Sequence, residues 1–111
     1  MTVVYILNGH EVVPCKNIIE WGEWFERDGN RQVMRTNLID GSVISTVFLG
    51  IDHGWGGTPQ LFETALLTDD GVSVCNRYAT WAEAEAGHMD WIERCVPPDM
   101  IEATVKGQSD A

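Results

Sequence analysis

The chain has 111 residues, 44% of them hydrophobic, enough for one domain around a single small core. Asp and Glu number 17 against 7 Lys and Arg, a formal charge of −10. So anionic a chain repels phosphate backbones and acidic lipid surfaces, which argues against direct nucleic-acid or membrane binding. Its electrostatic complement is a basic protein surface, although solubility alone accounts for most individual carboxylates. The three cysteines, Cys15, Cys75 and Cys95, show no C-x-x-C spacing. A disulfide framework and a structural zinc site are therefore not expected. The opening MTVVYILNGHEVV lacks the basic start and long apolar run of a secretory leader. No segment reaches the ~18 apolar residues of a membrane span. The expectation is a cytosolic protein with reduced thiols.

Val3 to Leu7 and His10 to Val13 are short β-prone runs separated by Asn8-Gly9, a strong hairpin signal. Asn17 then opens IIEWGEWFER, with Glu20 three positions on as in a capping box. Ile18, Trp21, Gly22 and Phe25 recur at helical spacing and predict the buried side of this helix, while Glu20, Glu23, Glu26 and Arg27 face water. Trp24 falls off that stripe, which predicts exposure. Arg31 to Ile39 reads as a strand of mixed polarity near a sheet edge, and Asp40-Gly41 as a second hairpin turn. Ser42 to Ile51, SVISTVFLGI, is the strongest strand and is apolar on both faces, which predicts a central position with cover on each side.

Leu61 to Thr68 and Val72 to Tyr78 are two further strands around Asp69-Asp70-Gly71. Thr80 and Glu83 form a second capping-box match at the head of TWAEAEAGHMDWIERCV. Trp81, Ala84, His88, Trp91, Ile92 and Cys95 make its apolar stripe. Gly87 costs this helix about 1 kcal/mol relative to Ala, a sign of close approach by another backbone or of simple tolerance. Pro97-Pro98 ends it. The order predicts an α+β domain over residues 1–98: an antiparallel sheet of about five to six strands with two helices packed on one face. Residues 99–111 read as a frayed or loosely attached tail.

Two blocks, STVFLGIDHGWGGTPQLFET (Ser45–Thr64) and RYATWAEAEAGH (Arg77–His88), resemble small acidic proteins encoded by bacteriophages and prophages. The front segment, YILNGHEVVPC followed by IIEWGEWFE, is similar to the start of the same family. The resemblance covers most of the chain up to Val96. It implies a phage or prophage accessory protein made inside a bacterial cell. The family carries no assigned activity, so no catalytic residue is implied. Inhibitors of CRISPR effectors and other host defences, and mimics of DNA, include proteins of similar size and charge, which is an analogy and not a motif.

The stretch IDHGWGGTP (Ile51–Pro59) is the most chemically suggestive. Asp52 next to His53 could form a general-base pair, but neighbours in extended backbone point to opposite faces. There is no phosphate-loop Lys and no nucleophile-elbow Ser. A wide connection that doubles as a recognition loop, with Trp55 at its tip, fits the glycines better. His10, His53 and His88 show no metal-ligand spacing. Cys15, ahead of a helix N-cap and across a hairpin from His10, is a weak nucleophile candidate against the usual role of a free Cys as a small hydrophobe. The functional expectation is a binding protein that engages a basic surface on a bacterial host protein through Asp52, His53, Trp55, Trp24, Glu20 and Glu23. It needs no cofactor or metal, acts in the host cytoplasm and can pair with a second copy of itself. The alternatives are a DNA mimic acting on a nucleic-acid-binding protein and a small hydrolase-like enzyme using His53 or Cys15.

Overall fold

A computed structural model describes residues 3–27, 31–52 and 56–107. The fold is α+β. Strands β1 (Val4–Asn8) and β2 (Glu11–Cys15) form a hairpin, followed by helix α1 (Ile18–Arg27). Strands β3 (Gln32–Leu38), β4 (Val43–Phe48), β5 (Phe62–Thr68) and β6 (Gly71–Tyr78) come next, then helix α2 (Trp81–Cys95). A short 3-10 turn, Pro98–Met100, leads into β7 (Ile101–Lys106). The main sheet is antiparallel with five strands in the order β6-β5-β4-β3-β7, and β1-β2 is a separate two-stranded sheet.

One sequence expectation changes here. Residues 101–106, assigned to a frayed tail, instead pair with β3 along its length. β3 therefore lies between β4 and the edge strand β7, one strand in from the edge. The mixed polarity of β3 reflects one covered and one open sheet face. Ile101-Glu102-Ala103-Thr104-Val105 alternates apolar and polar residues, but short strands after a double proline are weak signals on their own.

The first hairpin also turns one residue later than Asn-Gly implies. Asn8 pairs with Glu11, so Gly9 and His10 are the central turn residues. Gly9 takes φ +64°, which suits a glycine-first turn, and no described non-glycine residue has positive φ.

The pairing register sorts the central strands into two faces. Ile44, Thr46 and Phe48 of β4 lie opposite Leu66, Thr64 and Phe62 of β5. This face takes both helices. Phe48 and Phe62 are fully buried with ring centroids 5.2 Å apart, and Trp81 of α2 meets Phe62 edge-on. Each such ring contributes about 1.5–3 kcal/mol by leaving water. The β1-β2 hairpin and α1 cover the Phe48 end of the same face through Leu7, Tyr5, Val12 and Trp24. The other face, with Val43, Ser45 and Val47 of β4, carries no helix or strand among the described residues. The cover expected on both sides of β4 is therefore present on one.

Two glycines are set by packing. Gly50, at φ +77°, lets β1 and α1 close on the end of β4: an added Cβ would sit 2.9 Å from Trp21 Nε1 and 3.2 Å from the Tyr5 carbonyl. A methyl at Gly87 would overlap the Tyr78 ring, which passes under α2 there. The close approach that Gly87 permits is thus by a side chain of β6 and not by backbone.

Candidate interaction surface

The loop after β4 is closed at both ends. Leu49 N–H donates to Leu61 O (2.7 Å), Tyr5 N–H donates to Gly50 O (2.8 Å), and Ile51 forms a bridge to Val4. Asp52 Oδ1 accepts from Gln60 N–H at 2.8 Å. Its carboxylate thereby holds together the two ends of the loop, the job of a turn-forming Asp. His53 and Trp55, expected as recognition residues, lie outside the described residues. Beside the loop is a hollow of about 310 Å³ lined by Thr58, Gln60, Arg77, Tyr78, Ala79 and Glu83. Its charged groups already have partners. Arg77 pairs with Glu63 at 3.5 Å, and Glu83 completes the capping box with Thr80.

Helix α1 presents the other expected residues. Asn17 Oδ1 caps it, accepting from Ile19 N–H (2.9 Å) and Glu20 N–H (3.2 Å). Glu20 and Glu23 are exposed, as the helical spacing predicts. Trp24 is half-buried, set edge-on to Phe48 at 5.9 Å. It is a packing residue over the core, because the width of the covered side takes in Trp24 as well as Trp21 and Phe25. Trp21 donates its indole N–H to Tyr5 O at 2.9 Å. Ile18, expected on the buried stripe, is 60% exposed, and its neighbour Ile19 is 69% exposed.

The thiols and histidines do not assemble into a nucleophilic centre among the described residues. Cys15 sits at the open end of the hairpin, opposite Val4, whereas His10 sits in its turn. The whole hairpin separates them, so the Cys15–His10 pairing considered from sequence is not formed. His10 instead stacks on Trp81, with ring centroids 3.8 Å apart and planes 7° apart. Burial pushes the Cys75 thiol above its ordinary value, away from the reactive thiolate. No group of three or more His, Cys, Asp and Glu among the described residues could hold a metal ion. No helix of the described residues is long and apolar enough to cross a membrane.

His88 is the residue whose setting the sequence conveyed least. Placed on the apolar stripe of the helix by spacing, it is fully buried with two hydrogen-bond partners. Its Nε2 lies 2.9 Å from Thr36 Oγ1 and its Nδ1 2.7 Å from Thr46 Oγ1. The hydroxyls continue outward from Thr46 to Thr64 and Tyr78, and from Thr36 to Thr104. A neutral imidazole with one N–H and one lone pair satisfies this row in either direction. Burial lowers the His88 pKa from 6.5 to about 4, so the ring is neutral at physiological pH. Enclosed on all sides, it is a structural hub. The signal that could have found it is the run of inward threonines at positions 36, 46 and 64 beneath a helix-stripe histidine.

Charge divides between the two sides of the molecule. The helices cover one sheet face and carry Glu20, Glu23, Glu26, Glu83, Asp90 and Glu93 exposed. Only Arg27 and Arg94 balance them on the helices, Arg94 pairing with Asp90 at 3.3 Å. The open sheet face, by register, holds Arg35, Arg77 and a single paired carboxylate, Glu63, within β3 to β6. Protein-family models, curated protein sequences and solved structures, each compared with this chain, contain no match to it.

Proposed function

We propose that this is a phage or prophage accessory protein that binds a basic surface of a bacterial host protein in the cytoplasm and alters its action, as a counter-defence inhibitor does. One observation carries the reading: the two helices carry Glu20, Glu23, Glu26, Glu83, Asp90 and Glu93 exposed against only Arg27 and Arg94. A negative helix surface of this kind steers a basic partner and speeds its association. Glu20 and Glu23 on α1 are the contact carboxylates, with Trp55 as the expected aromatic anchor. Ile18 and Ile19, exposed on the first turn of the same helix, supply apolar area beside the charge.

The test has two stages. Cross-linking in infected cells and mass spectrometry identify the partner; titration calorimetry with purified components then measures the affinity. A triple change Glu20→Gln, Glu23→Gln, Glu26→Gln should weaken binding by roughly tenfold at low salt and remove most of the salt dependence. Trp55→Ala should weaken it further, whereas His53→Ala and Cys15→Ala should leave the effect on infected cells intact. Binding indifferent to the three glutamates overturns the reading. So does turnover of a substrate that His53→Ala or Cys15→Ala abolishes. Binding that falls steeply with salt yet tolerates Trp55→Ala would identify phosphate mimicry instead.

A further inference from the structure

The open face of the five-stranded sheet carries an apolar stripe that no helix or strand among the described residues covers. Val43, Val47, Leu67, Val72, Val74 and Val105 lie on it by register. Val72 is 69% exposed, Val74 52% and Val105 50%. A β-sheet covered on one side commonly turns a polar face to water. This one turns a stripe of Val43, Val47, Leu67, Val72, Val74 and Val105 among its polar residues. Its backbone groups are already used in the ladders, so it offers an occupant apolar area and little else.

We infer that a second copy of this chain covers this face, forming a two-fold symmetric dimer by sheet-on-sheet packing. The first argument is area. Five strands spaced about 4.8 Å apart, with about six residues of each rising about 3.3 Å, give a face of roughly 24 by 20 Å. Two such faces meeting remove on the order of 1,000 Å² from water, the lower limit for a specific interface and the size of a weak, reversible dimer. The second argument is charge. A basic partner finds no attraction here, because the face holds two arginines against one glutamate in β3 to β6. A second copy, itself at −10, meets here a single carboxylate, Glu63, in β3 to β6.

Symmetry makes the face complementary to itself. A two-fold axis running along β4 places β3 of each copy over β5 of the other. Arg35 lies in register with Ser45 and Ala65, one pleat from Glu63. Each Arg35 then comes over the strand that carries Glu63 in the second copy. The valines of the two faces interdigitate at the ~10 Å spacing of packed sheets. Ser45, small and central, sits at the crossing point. This dimer does not depend on the host-partner reading, since it leaves the helix sides of both copies outward.

Sedimentation velocity of the purified chain over low to high micromolar concentration tests it. The expected result is a concentration-dependent dimer that tightens as salt rises, because screening relieves the repulsion between two acidic subunits. Ser45→Arg puts two like charges on the axis and should raise the dissociation constant by roughly a hundredfold. Val74→Lys, at a position already half-exposed in the single chain, does the same without burying a charge in the fold, and decides the matter if Ser45→Arg does not fold. Circular dichroism should be unchanged in the Val74→Lys monomer. A wild-type chain that stays monomeric throughout overturns the inference. So does a dimer that persists in folded Ser45→Arg and Val74→Lys variants, since its interface would then lie elsewhere.

Discussion

Nδ1 of His88 lies 2.7 Å from Oγ1 of Thr46, and both residues are fully buried. The bond ties the middle of α2 to the central strand of the sheet, and with Thr36 on the next strand it pins the helix across β3 and β4. Desolvation without a facing hydrogen-bonded carboxylate is what holds the ring neutral. An apolar residue at position 88 would fill the space but take from the hydroxyls of Thr36 and Thr46 one of the two partners each has.

Acid should loosen this fold before its carboxylates titrate fully. His88 titrates at about 4 when folded against an ordinary 6.5. Between those values the unfolded chain binds the extra proton and the native chain does not. The stabilisation is complete above the unfolded value and declines as pH falls through this window. The whole effect is on the order of 3 kcal/mol. Urea melts at neutral pH and near pH 4.5 measure it. His88→Gln should flatten the slope across this range, while costing about 1 kcal/mol at neutral pH through the hydrogen bond it loses.

Gly87→Ala tests the contact with Tyr78. On helix propensity alone the change would stabilise α2 by about 1 kcal/mol. The added methyl overlaps the tyrosine ring, so ring and helix must move apart. Overpacking of this kind costs about 1–3 kcal/mol. The expected net result is a lower urea midpoint with an unchanged m-value. A stabilised variant would mean that the ring has room to move.

How much of this was legible in the sequence differs by element. The turns at Asp40-Gly41 and Asp69-Asp70-Gly71, the capping box Thr80–Glu83 and the apolar β4 are local signals, and the elements they imply are present. β7 was not legible because its stability is non-local: it exists by pairing with β3, some 65 residues earlier in the chain. The side of Trp24 was missed for a related reason. Helical spacing defines a stripe, but the width of the stripe depends on what covers it, here Phe48 and the β1-β2 hairpin. The acidic helix surfaces were legible from helical spacing; that the open face of β3 to β6 holds a single carboxylate needed the sheet register.

Trp24→Ala separates packing from recognition. A half-buried indole edge-on to Phe48 and Phe25 should cost about 2 kcal/mol of stability when truncated, less than a fully buried tryptophan. Glu23→Gln, exposed on the same helix, should change stability by less than about 0.5 kcal/mol. Thermal or urea unfolding of the two variants makes the comparison. An unchanged Trp24→Ala midpoint would return Trp24 to the list of recognition anchors.

Removing β7 should expose the most vulnerable edge of the sheet. A chain ending at Pro98 loses the β3 ladder, the packing of Ile101 against the cluster of Leu38, Ile44 and Ile92, and the Thr104–Thr36 hydrogen bond. Strand β3 would then present its unpaired N–H and C=O groups along the outer edge, a template for pairing with other chains. Thr36, still bonded to His88, would have one side opened to water. The expected loss is about 3 kcal/mol or more, roughly 10–20 °C in Tm, together with concentration-dependent aggregation. A loose tail predicts the opposite: a truncated chain with the melting temperature and solubility of the intact protein. Differential scanning calorimetry with light scattering on the two forms distinguishes the outcomes.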